Sequence, residues 1–267
     1  MHHSALKKAA ICAAVVAIAA SVCGAAAAEA TRHYDIMEFD RPAEGRDVAF
    51  NAWLDEQYIP ALLAVPGVVT AQRLHIDRGQ TPDGPPYVTI FGVETADLDA
   101  TRATIAQRAR NIPQTDAVDT ASTITAIFSP LGPTVMAKDL PGISPPAPVP
   151  GKTELRTYYL FAHLNVAEGH DEEFNTFYNE THRPDVLRNP GMVWGARSKL
   201  VAIEPAGTVF PGYLAAYEFQ SYDLDGSIAE VIRRLRTGIT RPFPKGSFGK
   251  GVLNFYLSPI GPVRHAK

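Results

Sequence analysis

Apolar positions along the chain follow a helical rhythm in some stretches and short unbroken runs in others, and the whole sequence of rhythms occurs twice. Phe50, Trp53, Leu54 and Tyr58 fall at i, i+3, i+4 and i+8, which is one helical face, and Phe174, Phe177, Tyr178 and His182 hold the same places further on. The spacing predicts helices over about Asp47–Tyr58 and Asp171–His182, with Asp47 and Asp171 as N-caps. Pro60 and Pro184 should end them, and Pro66-Gly67 and Pro190-Gly191 read as turns into a following strand. Runs rich in aromatic and aliphatic residues predict strands over His33–Phe39, Val68–Ile76, Tyr87–Val93 and Ile124–Ser129, and again over Arg156–Leu164, Val193–Ile203, Tyr213–Phe219 and Val252–Ser258. A second helix begins at Asp97 in the first copy and Asp223 in the second. In the second, Ile228, Val231, Ile232 and Leu235 form an apolar stripe, Arg233, Arg234 and Arg236 suit the negative C-terminal end, and Gly238 can stop it. The matching stripe in the first copy is Ala-rich and weaker.

Residue-by-residue comparison strengthens the impression of two copies. Glu44-Gly45, Phe50-Asn51, Pro60, Pro66-Gly67 and Arg73 recur 124 positions later as Glu168-Gly169, Phe174-Asn175, Pro184, Pro190-Gly191 and Arg197. Asp97-Leu98-Asp99 recurs after 126 positions, and Ser129-Pro130-Leu131-Gly132-Pro133 recurs after 129 as Ser258-Pro259-Ile260-Gly261-Pro262. Matches that keep their order while the offset grows slowly are the mark of a tandem duplication with small loop insertions. The expected organisation is a unit over 31–133, a linker over 134–152 with five prolines, and a second unit over 153–267. The order β-α-β-β-α-β in each is the ferredoxin-like pattern, in the α+β class. One such unit leaves a bare sheet face, which the tandem copy would cover, giving two sheets face to face with helices outside.

The remaining composition narrows the function. Of 267 residues, 46% are apolar and 20% charged, with a formal net charge of −3, so the chain has the make-up of a folded globular protein. A mildly acidic chain without a long basic stretch is a poor partner for nucleic acid. Residues 1–30 read as a secretory signal: Lys7 and Lys8 precede an uncharged run over Ala9–Val22, followed by small residues suited to cleavage. Removal of that segment would leave a periplasmic or secreted protein with no membrane association. It would also remove both cysteines, Cys12 and Cys23, excluding disulfides, a thiol nucleophile and thiolate-held metals. No Gly-rich phosphate loop, Gly-x-Ser-x-Gly elbow or dinucleotide fingerprint is present, and no ligand spacing for a metal, so neither a metal nor another cofactor is expected.

The stretches Phe50-Asn-Ala-Trp-Leu-Asp-Glu-Gln-Tyr-Ile-Pro60 with Val65-Pro-Gly67, and Phe174-Asn-Thr-Phe-Tyr-Asn-Glu-Thr-His-Arg-Pro184 with Asn189-Pro-Gly191, resemble the signature of the dimeric α/β-barrel superfamily, including its EthD-like branch. That resemblance implies an intramolecular barrel built from both copies, with a substrate cavity between a unit's sheet and its helices. The superfamily's chemistries are diverse: cofactor-free oxygenases, cyclases, isomerases, and haem proteins among them. His182 stands at the family's His position, whereas the first copy has Tyr58 there, which implies an active cavity in the second unit and, in the first, a degenerate partner kept for stability or for a binding role.

His182 is therefore the first candidate for acid/base catalysis, since an imidazole exchanges protons near neutrality. Tyr178, one turn earlier, could donate a hydrogen bond to a substrate oxygen. His163 could act as a partner if the strand register turns it toward the cavity. Arg197 could hold an acidic substituent, with Tyr58, Phe177 and Trp194 as aromatic binding residues. Each has a purely structural alternative: a core histidine or tyrosine, an ion pair shared by both units, or packing rings. The expected function is proton-transfer chemistry (a lyase, decarboxylase, isomerase or cyclase step) on a small hydrophobic aromatic or phenolic substrate. The alternatives are a cofactor-free oxygenase, a binding protein without turnover, a haem protein, and any of these as a homo-oligomer; the Gly-x-x-Asp-Gly motif of dye-decolourising peroxidases is absent.

Overall fold

A computed structural model describes residues 30–79 and 84–267. The expected leader thus lies outside the described residues, apart from Ala30. The first half contains β1 (Arg32–Asp40), α1 (Asp47–Trp53), α2 (Ile59–Leu63), β2 (Val68–Gly79), β3 (Tyr87–Thr95), α3 (Leu98–Arg110) and β4 (Ile124–Pro130). A short β5 (Val135–Met136) follows, and then β6 (Arg156–Leu164), α4 (Asp171–Phe177), α5 (Arg183–Leu187), β7 (Met192–Glu204), β8 (Tyr213–Ser221), α6 (Leu224–Arg236) and β9 (Leu253–His265).

The strands join in the order β4-β1-β3-β2-β9-β6-β8-β7, and β7 pairs back onto β4, so eight antiparallel strands close a barrel. Closure refines the expected pair of stacked sheets: the two half-sheets face each other across the barrel interior and are also hydrogen-bonded at both edges. It removes the exposed strand edges that each half would otherwise present. β9 runs further than predicted, to His265, and its second part forms the β2 pairing that completes one seam. Met37, Phe39, Phe128, Phe161, Phe255 and Leu257 fill the interior, while α1–α3 and α4–α6 cover the outside of their own half-sheets over separate apolar clusters.

Neither helix stops at its proline. Between α1 and α2 lies a π-helical turn, Leu54–Tyr58, and between α4 and α5 another, Tyr178–His182. In each, the N–H just before the proline reaches back five residues, from Ile59 to the Leu54 carbonyl and from Arg183 to the Tyr178 carbonyl. The wider turn accommodates a residue that has no N–H and whose ring would clash in a regular α-helix, so the helix continues for another turn. The expected N-caps also shift by one. Arg46 and His170 occupy the cap positions without side-chain capping bonds, and Asp47 and Asp171 are the first helical residues, where their charge still faces the positive end of the helix.

The 134–152 segment is less of a free linker than its prolines suggest. β5 pairs with Trp194 and Gly195 of β7, Ala137 is fully buried, and Val135 and Leu140 pack on the second half's core. The Pro-Gly turns are tight: Gly191 has φ +80°, and a Cβ there would lie 2.1 Å from the Gln220 carbonyl oxygen. Gly191→Ala is expected to cost about 2–4 kcal/mol, read as a lower urea midpoint at unchanged slope. A shift within error would show that the turn tolerates a side chain.

Candidate active site

Alternation along β6 decides which residues reach the site. Tyr159, Phe161 and His163 point into the barrel, while Leu160, Ala162 and Leu164 face the helices. Between that outer face and the helices lies a cavity of about 470 Å³, walled by Leu160, Ala162, Leu164, Tyr178, His182, Tyr217, Phe243 and the Ile228–Leu235 stripe of α6. The π-turn carries Tyr178 and His182 to the wall, their rings 4.9 Å apart and edge-on.

His182 is 6% exposed. Its Nδ1 lies 3.4 Å from the Arg241 carbonyl, which can only accept, so the neutral ring donates there and keeps Nε2 as its basic nitrogen. Nε2 has no hydrogen-bond partner among the described residues. Arg241 is itself fixed by Asp185, whose carboxylate takes two guanidinium bonds at 2.7 and 2.9 Å and the backbone N–H at 3.1 Å. Burial holds the imidazole down at a pKa of about 4, against the smaller opposing pull of the Arg241 carbonyl and Asp185. The ring is therefore neutral at pH 7, with the Nε2 lone pair free.

The tyrosines beside it form a short relay: the Tyr217 hydroxyl donates to the Tyr178 hydroxyl at 3.2 Å, which leaves the Tyr178 proton to point elsewhere. Burial pushes both phenols up, while Arg197 and Arg183 act in the opposite direction on each. The Arg197 guanidinium sits 4.2 Å from the Tyr178 ring centre and donates to Asn175 (2.8 Å) and Asn179 (3.2 Å), with its Nε unpaired. Neither Arg197 nor Arg183 has a carboxylate partner among the described residues. The first half differs at this point. Arg73 donates to Asn51 and also, at 2.9 Å, to the Asp55 carboxylate, where the second half has Asn179. The positive field under Tyr178 is thus not neutralised locally and favours negative charge developing at its hydroxyl or on a bound oxygen. Asn179→Asp should convert an amide contact into a charge-assisted one, raising stability by about 1–2 kcal/mol in urea unfolding. An unchanged midpoint would mean that Arg197 is already satisfied.

The structure brings only His182 and Tyr178 of the sequence candidates to this cavity. His163 faces the barrel interior, 0% exposed among Phe39, Phe128, Phe161, Phe210 and Phe255, with both ring nitrogens unpaired; burial drives its pKa down to about 3. It cannot partner His182, because consecutive strand positions alternate faces. Trp194 lies with the barrel-interior cluster and donates to Glu218 at 2.9 Å, away from the cavity. Arg197 sits behind Tyr178 rather than on the wall, so it cannot grip a ligand there directly. Phe177 is half-buried, packed on His182 and Phe243 without lining the cavity. Sequence reading missed Tyr217, Phe243 and the Asp185–Arg241 pair, which long-range folding brings in; the only local signal was Asp185, one turn beyond His182.

Tyr58 belongs to the equivalent space of the first half, a cavity of about 400 Å³ lined also by Glu38, Asp40, Phe50, Trp53, Leu54 and Thr123. Its hydroxyl donates to Glu38 Oε1 at 3.0 Å, and Thr123 donates to Asp40 Oδ1 at 3.0 Å. Burial pushes both carboxyls up, Glu38 further by Asp40 beside it. The two buried acids of this first-half cavity were not anticipated. Among the described residues no group of three or more His, Cys, Asp or Glu side chains is placed to hold a metal, and no helix is long and apolar enough to cross a membrane.

Comparison with known proteins gives fold and little else. No family model matches the chain, and no curated protein does. Among solved structures, an anthrone oxidase-like protein superposes with a TM-score of 0.50 at 13% identity, covering 90% of this chain and 95% of that one. A candidate monooxygenase from Fusobacterium nucleatum gives 0.49 at 10% identity over 88% of this chain and 95% of that one. Chlorite dismutase from Candidatus Nitrospira defluvii gives 0.47 at 11% identity over 85% and 91%. The eight-strand barrel with four covering helical segments is the dimeric α/β-barrel fold.

Proposed function

We propose that the second-half cavity is the active site of an enzyme that removes a proton from a small, mostly hydrophobic aromatic or phenolic molecule. The observation that carries this reading is a neutral imidazole, its free nitrogen unbonded, on the wall of an apolar cavity beside a tyrosine pair over an unneutralised arginine. His182 Nε2 takes the proton from an acidic carbon or hydroxyl. The resulting charge moves to a substrate oxygen, where the Tyr178 hydroxyl, backed by Tyr217 and the field of Arg197, stabilises it. Return of the proton elsewhere completes an isomerisation or cyclisation, and loss of a leaving group completes a lyase reaction. Aliphatic walls from β6 and α6, with the rings of Tyr217, Phe243 and Tyr256, exclude water and suit an aromatic substrate.

The same carbanion supports an oxygenase reading. A CH₂ group flanked by aromatic rings and one O₂ would yield a ketone and one water, dioxygen being the oxidant. The fold neighbour named anthrone oxidase-like makes this the second reading. Haem fits the residues less well, since Tyr178 and Phe243 pack the imidazole at 4.9 and 4.3 Å and Arg78 at the cavity mouth is already paired with Asp225. We place the chain as a tandem duplication close to the EthD-like branch, exported to the periplasm or beyond, because the paired motifs and leader composition support it.

Incubation of the protein with aromatic acids, phenols and anthrone-type ketones, in air and under nitrogen, followed by mass spectrometry, tests the proposal. A product that forms without oxygen supports the lyase or isomerase reading, and a mass gain only in air supports the oxygenase. Binding without any product in either atmosphere would reduce the protein to a small-molecule binder.

A further inference from the structure

Alternation along β1 places Glu38 and Asp40, two residues apart, on the face that looks toward the helices, where the second half has Ala162 and Leu164. The two carboxyl side chains are 8% and 6% exposed. Each has one satisfied oxygen, from Tyr58 and from Thr123, while Glu38 Oε2 and Asp40 Oδ2 accept no hydrogen bond among the described residues. No cation among the described residues forms an ion pair with either, and Arg73 acts on Asp40 only from a distance. Arg73 is committed to Asp55, Arg46 to Asp116, and Arg110 stands on the exposed rim without an ion pair to either. The apolar pair in the other half shows that the scaffold does not need acids here, and burying them is costly.

The remaining walls are aromatic. Trp53 and Tyr58 lie 4.9 Å apart at 31°, the indole fixed by its N–H donating to the Pro113 carbonyl at 2.9 Å, and Phe50 is buried beneath them. Two carboxyl oxygens lacking partners, next to ring faces, form a receptor for an organic cation, whose positive charge favours the ionised form of both acids: the oxygens accept its N–H bonds and the rings hold its body and charge. A divalent metal would need more oxygen ligands than two carboxylates supply here. We propose that the first-half cavity is a binding site for a small protonated amine, held by Glu38 and Asp40 and packed against Trp53 and Tyr58, separate from the His182 site.

The test is calorimetric titration of the full chain with phenethylamine and with its neutral isostere phenethyl alcohol. The amine should bind and the alcohol should bind at least about tenfold more weakly. Glu38→Gln and Asp40→Asn should each weaken the amine about tenfold or more, and His182→Ala should leave it unchanged. Using two amide variants guards against one failing to fold, and thermal melts report which fold. Equal binding of amine and alcohol, wild-type affinity in both amide variants, loss of binding in His182→Ala, or no amine binding at millimolar concentration would each overturn the proposal. So would calcium binding that the amide variants abolish while the amine gives no heat.

Discussion

His182→Ala should lower turnover of whichever aromatic substrate the protein accepts by about 10²–10⁴-fold, with a much smaller change in substrate affinity. Among the described residues the ring is the sole histidine on the cavity wall, and its free nitrogen is a proton acceptor outside any ion pair, whereas the Asp225 carboxylate there is paired with Arg78. The pH profile gives the effect a signature. Because burial holds the imidazole at about 4, it loses its lone pair to a proton only below that value, so wild-type kcat should rise through about pH 4 and stay level across neutrality. The residual activity of the alanine variant should lack that limb. Linkage adds a stability effect of the same sign. The unfolded chain binds a proton near the ordinary histidine value while the folded ring refuses it, so the fold loses stability as pH falls from about 6.5 toward 4. His163, held at about 3, extends that loss to lower pH, and His182→Ala should remove only its own share. A kcat reduced less than about threefold would take the base away from His182.

Glu38→Gln should shift stability in the opposite pH direction. Burial and the neighbouring Asp40 push the Glu38 carboxyl up, so the folded state holds a proton that the unfolded chain releases. The protonated form's contribution is fully present below the unfolded carboxyl value and is lost as pH rises through the folded one. Wild type should therefore weaken toward alkaline pH. The amide, which still accepts the Tyr58 hydroxyl bond but cannot ionise, should gain on the order of 2 kcal/mol over wild type at alkaline pH and little at pH 4. Urea unfolding at a series of pH values reads the difference directly. Parallel curves would show that the Glu38 carboxyl is solvated like a surface acid.

Much of the scaffold is visible in the pattern of residues. Phe50, Trp53, Leu54 and Tyr58 at helical spacing, and their counterparts 124 positions on, put one helix over each half-sheet, and Pro66-Gly67 and Pro190-Gly191 mark turns where a side chain would strike backbone. What escapes local pattern is whatever depends on long-range geometry. The π-turns before Pro60 and Pro184 are register adjustments that periodicity cannot register. The side chosen by His163 depends on a single residue of strand phase, and the structure turns it into the barrel, whereas its neighbours Ala162 and Leu164 face the helices. Arg197 and Arg73 look alike in sequence, yet Asn179 in place of Asp55 leaves one held only by amides, without a carboxylate partner among the described residues, and the other in an ion pair. Glu38 and Asp40 read as ordinary polar positions in a strand, since only the packed helices make them buried. Tyr217 reaches Tyr178, and Arg241 reaches His182, across tens of residues.

Solvent deuterium exchange tests the central claim most directly. Candidate aromatic substrates with acidic C–H positions, incubated with the protein in D₂O, should gain deuterium at those positions by mass spectrometry or appear as deuterated product, and His182→Ala should show only the uncatalysed background. Equal incorporation by wild type and variant, or none by wild type on a ligand shown to occupy the His182 cavity, would contradict the assignment of His182 as the proton-abstracting base.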